Sequence, residues 1–129
     1  MSNDTESASD RFGIDGAVVE RAAERAYLDT QDLVGALDVL HAELIGWHAT
    51  LERTTEYVTV DGVRAYRVEV SVWDEFLTGF DFGAALAAAV REAHTEQARR
   101  MFAKSVTGDD NFGPDEAGVV VSVDTAEQF

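Results

Sequence analysis

Asp61 and Gly62 stand between two runs of equal length, WHATLERTTEYVTV and VRAYRVEVSVWDEF. An Asp-Gly pair suits a two-residue type I′ hairpin turn, because both central residues of that turn need positive φ. Such a turn leaves one register, with Val60 opposite Val63, Tyr57 opposite Tyr66, Thr55 opposite Val68, Arg53 opposite Val70, Leu51 opposite Val72 and Trp47 opposite Phe76. One face then carries Trp47, Leu51, Tyr57, Tyr66, Val68, Val70, Val72 and Phe76. The other sets Glu56 against Arg67 and Thr54 against Glu69, and a one-residue slip would undo both patterns together. The chain is therefore expected to be organised around a long hairpin, 47–60 paired with 63–76.

Helical periods flank this hairpin. Asp15 is placed to cap a helix through about Tyr27, with Val18, Ala22 and Ala26 on one stripe. A second helix is expected from about Thr30, where Leu33, Leu37, Leu40 and Leu44 repeat at spacings of 4, 3 and 4, with Gly46 as its stop. Residues 47–53 fit both periods, since Trp47 and Leu51 extend the same repeat. The Thr-rich, β-branched run that follows favours strand. Asp81 is placed to cap a long helix, FGAALAAAVREAHTEQARRMFAKS, and GVVVSV at 118–123 reads as a third strand after the loop TGDDNFGPDEAG. The expected fold is α+β: three helices and a three-stranded, mainly antiparallel sheet. It forms a single domain over residues 12–129, behind a disordered acidic leader at 1–11.

Charge sets this chain apart more than any motif does. Its 129 residues carry 25 Asp and Glu against 10 Arg and Lys, of which one is Lys, for a net charge of −15. Small soluble domains usually carry a magnitude of about 2 to 8. Hydrophobic residues make up 46%, so the charge covers a core and does not mark disorder. No cysteine is present, which removes disulfides, thiol nucleophiles and thiolate metal sites. No apolar run reaches the ~20 residues of a spanning helix, and a cytoplasmic protein is expected, without membrane contact.

No catalytic signature emerges. GxSxG, a P-loop, GxGxxG after a strand and HExxH are all missing, and GDDNFGPDE lacks the alternation of a calcium loop. Asp38 and His41 have the spacing of half a di-metal pair but no second half. Glu92, His94 and Glu96 diverge on a helix. His41, His48 and His94 are accordingly read as scattered surface residues, with no catalytic, cofactor or metal site expected.

Two resemblances add to this reading. The acidic, Lys-poor composition resembles that of cytoplasmic proteins from salt-accumulating haloarchaea, which implies adaptation to high salt. Residues 18–68, through ERAAERAYLDTQDLVGALDVLHAELIGWHATLER and YVTVDGVRAYRV, resemble a winged-helix DNA-binding domain. That resemblance implies a separate recognition helix, the hairpin as wing, and DNA contacts from His41, Trp47, His48, Thr50, Arg53 and Arg64. The recognition segment LHAELIGWHATLE has two Glu and neither Lys nor Arg. The expected function is therefore a non-catalytic binding or structural domain, partnered by itself as a homodimer or by another protein, with a DNA-binding regulator as the alternative.

Overall fold

The structure, a computed structural model, describes residues 12–105 and 112–122; the leader expected at 1–11 lies outside them. The order is α1 (Gly16–Arg25), α2 (Thr30–Thr54), β1 (Glu56–Val60), β2 (Val63–Glu69), α3 (Val70–Leu77), α4 (Ala84–Lys104) and β3 (Glu116–Ser122). The strands form one antiparallel sheet in the order β1-β2-β3. The class is α+β as expected, with four helices among the described residues where three were anticipated.

The hairpin turn forms as the Asp-Gly pair dictates. Asp61 and Gly62 both have positive φ, 52° and 78°, and Val60 pairs with Val63, Tyr57 with Tyr66 and Glu56 with Arg67. Pairing stops there, so the long hairpin 47–60/63–76 is corrected at both ends. The expected pairs Thr55–Val68, Arg53–Val70 and Leu51–Val72 are not strand pairs, because residues 47–54 belong to α2, Thr55 closes that helix as its C-cap and 70–77 belong to α3. Trp47 and Phe76 do meet, their rings edge-on at 5.3 Å, but from one helix to another.

Burial explains why α2 runs through. Leu33, Leu37, Leu40, Leu44 and Leu51 are all buried, and Trp47 packs against the same core, so the 3-4 stripe is satisfied only by one continuous helix. Gly46 faces open space and lacks the left-handed φ of a helix stop. It is an interior glycine, tolerated at about 1 kcal/mol relative to Ala. In α3, Trp73 and Phe76 turn inward at a helical spacing.

The expected side-chain helix caps do not form, and Asp15 is engaged in tertiary contacts instead. Asp15 makes no side-chain cap bond. Its backbone N–H donates to Gln97 Oε1 at 3.0 Å, and its carboxylate lies 3.9 Å from Arg100 on α4. Asp29 stands at the N-cap of α2, and Gly83, in place of Asp81, at that of α4. Arg21 and Arg25 of α1 pair with Glu96 and Glu92 of α4, so the acids of that helix are matched from its neighbour.

β3 is the most deeply set strand, with every residue from Ala117 to Ser122 buried. α4 packs closely along it. A Cβ on Gly118 would overlap the Ala98 methyl and sit 3.2 Å from the His94 carbonyl, so glycine is required where helix and strand approach. Across the sheet, the Tyr66 hydroxyl donates to the His48 carbonyl of α2 at 3.2 Å. Among the described residues no helix is long and apolar enough to cross a membrane.

Candidate functional site

The two edges of the sheet are built in opposite ways. A two-residue turn makes Val60–Val63, Val58–Ala65 and Glu56–Arg67 the hydrogen-bonded pairs of the hairpin, so Tyr57 and Thr59 point their backbone groups away from β2. By the same alternation Gly118, Val120 and Ser122 of β3 point theirs outward on the other side. Buried N–H groups need acceptors. The outward groups of β3 find them in helix side chains.

Gly118 N–H donates to Thr95 Oγ1 at 3.1 Å, Val120 N–H to His94 Nδ1 at 3.0 Å and Ser122 N–H to His41 Nε2 at 3.1 Å. Trp73 Nε1–H in turn donates to the Gly118 carbonyl at 3.0 Å. Three helices thus supply a ladder of side chains in place of a fourth strand. This seals an edge that would otherwise invite pairing with another chain.

An imidazole accepts a hydrogen bond only through an unprotonated nitrogen. His94 must therefore be neutral with its proton on Nε2, and His41 neutral with its proton on Nδ1. His94 is fully buried and packs edge-on against Trp73 at 5.0 Å. Burial pushes its pKa down to about 3, and nearby His41 acts in the same direction. The pKa of His41 is also lowered by burial, against an opposing pull from the Asp38 carboxylate. His94 Nε2 is buried and meets no hydrogen-bond partner among the described residues.

These positions correct the reading of scattered surface histidines. His41, 4% exposed and bonded to β3, is withdrawn from any DNA-facing surface. The remaining residues expected to touch DNA are dispersed in role. Trp47 is half-buried against Phe76, and the carbonyl of half-buried His48 is taken by Tyr66. Thr50 and Arg53 are exposed near the end of α2. Arg64 is paired with Glu52, lies over the Tyr57 ring at 4.6 Å and donates to Thr59 Oγ1 at 3.0 Å. The turn that would separate a recognition helix is replaced by the unbroken helix Thr30–Thr54.

The β1 edge has no counterpart to the ladder on β3. Among the described residues no group bonds the outward N–H and C=O of Tyr57 and Thr59. Tyr57 is one of three large hydrophobic residues left exposed among the described residues, at 40%. Two acids beside this edge are matched within the chain, Glu52 by Arg64 and Glu56 by Arg67 at 3.5 Å. Among the described residues no group of three or more His, Asp or Glu is placed to hold a metal ion.

Sequence reasoning missed the histidine ladder, although one signal was present: His41 falls four residues after Leu37 and three before Leu44, on the buried side of its helix. No curated protein and no solved structure matches the chain. Residues 13–123, which include every helix and strand described above, match the family described as "Domain of unknown function (DUF8048)", and the chain belongs to that family.

Proposed function

We propose that this domain is a non-catalytic protein-interaction module, adapted to a salt-rich cytoplasm, that engages its partner through the open β1 edge. The observation that carries this reading is the contrast between the edges. Side chains from three helices close β3, whereas β1 presents unpaired backbone groups beside an exposed tyrosine. Strand addition supplies affinity through such backbone groups. The buried histidines are committed to the sheet, which leaves them unsuited to acid–base chemistry on a substrate. A net charge of −15 supports the salt adaptation, since screening shortens the repulsion from about 10 Å at 0.1 M to about 3 Å at 1 M.

DNA binding is the second reading, supported by the helical state of residues 47–54 and by exposed Thr50 and Arg53. It is weaker because α2 is unbroken and Arg64 is already paired. A photo-crosslinking residue at position 59, compared with one at exposed Tyr27, tests both in cells. Protein adducts specific to position 59 are expected. Adducts to nucleic acid, or none above the position 27 background, would overturn the proposal.

A further inference from the structure

The partner can be specified further, on the premise that β1 is the interacting edge. We infer that the occupant is a second copy of this chain, joined β1 to β1 in antiparallel fashion about a two-fold axis at Val58, so that two three-stranded sheets become one of six.

The strand is self-complementary in that register. Tyr57 falls opposite the partner's Thr59 and Thr59 opposite the partner's Tyr57. Both residues point their backbone groups outward, so the two symmetry-related pairs close four N–H···O=C bonds. Glu56 falls opposite Val60, and Asp61 lies past the strand end opposite Thr55, so no like charges meet across the seam.

Charge also selects this edge for self-association. Two copies at −15 each repel wherever unmatched acids face one another, whereas β1 is neutral from Tyr57 to Val60 and its flanking Glu52 and Glu56 are matched by Arg64 and Arg67. It also lacks the Lys, Pro or bulge by which proteins usually protect a free edge. The joined rows bring Tyr57 and Thr59 of both copies together on one face, with each Arg64 alongside. A closed two-fold contact of this kind ends at the dimer.

Sedimentation velocity of the full chain in concentrated KCl, over a range of protein concentrations, tests the inference. The wild type should be dimeric. Thr59→Pro removes an N–H that only the seam uses and should weaken the dimer by at least about tenfold, while Val39→Ser, at another exposed apolar position, should leave it intact. Should Thr59→Pro fail to fold, oxidation of Val58→Cys gives an independent readout. The chain has no other cysteine, and this position meets its own symmetry mate across the axis, so a disulfide dimer is expected. A monomeric wild type, or a dimer that neither responds to Thr59→Pro nor cross-links through V58C, would overturn the inference. A monomer that still forms protein adducts at position 59 would refute the homodimer and leave the interaction module standing.

Discussion

Acidification in concentrated salt should loosen β3 through His94, and the size of the effect follows from its burial. In the unfolded chain this histidine has an ordinary pKa of 6.5, whereas in the folded protein it stays neutral down to about 3. Between those values the unfolded state binds one more proton than the native state, so stability falls as pH falls. The contribution is fully present above pH 6.5 and is lost through the window down to about 3. One proton corresponds to about 1.4 kcal/mol per pH unit, so at about pH 4 His94 alone removes about 3 kcal/mol. His41 acts with the same sign, its pKa also being lowered by burial. Against a total of roughly 5 to 15 kcal/mol, that loss is large. Salt is needed because protonating carboxylates in dilute buffer relieves the repulsion of 15 excess negative charges, an effect of opposite sign. Urea unfolding at about 2 M KCl, followed by circular dichroism from about pH 7 to 4, measures the slope. The variant His94→Asn keeps an acceptor near Val120 but cannot titrate there, and should lose much of it. A flat wild-type profile, or one that His94→Asn leaves unchanged, would refute the neutral-histidine ladder.

Other expectations test the parts separately. Gly62→Val should cost more than about 1 kcal/mol in chemical unfolding, because a β-branched residue is strained at φ 78°, whereas Gly62→Asn should be tolerated. Gly118→Ala inserts a methyl into Ala98 and should cost about 1 to 3 kcal/mol while leaving the hairpin turn intact. In salt-free buffer at pH 7 the native circular dichroism signal should weaken and return with added KCl; an unchanged melting curve would leave the charge unexplained by salt adaptation.

Local rules made the turn legible, and they failed where tertiary packing chose between two periods. Asp61 and Gly62 specify their conformation by themselves, and the register near them follows. Residues 47–53 satisfy both a strand alternation and the 3-4 helix repeat. The helix prevails because Trp47 and Leu51 reach the core set by Leu40 and Leu44, a contact that no local propensity encodes. Val70, Val72 and Phe76 misled in the same way, since alternation suggested strand while Trp73 and Phe76 turn inward on α3. The candidate site was less legible still. His94 and Ser122 lie far apart in sequence from His41, and only the meeting of α2, α4 and β3 shows that both imidazoles are acceptors for a strand edge. Surface charge gave no clue to this, because both histidines of the ladder are buried.

The difference between a sealed and an open edge is measured most directly by amide hydrogen exchange, residue by residue, in dilute protein and concentrated KCl. The Gly118, Val120 and Ser122 amides should be protected as strongly as the paired amides of β2, since their acceptors are Thr95, His94 and His41. The Tyr57 and Thr59 amides should exchange quickly when dilute and become protected as the protein is concentrated. Rapid exchange at Val120, or protection of Thr59 that is already complete at the lowest concentration and independent of it, would contradict the account.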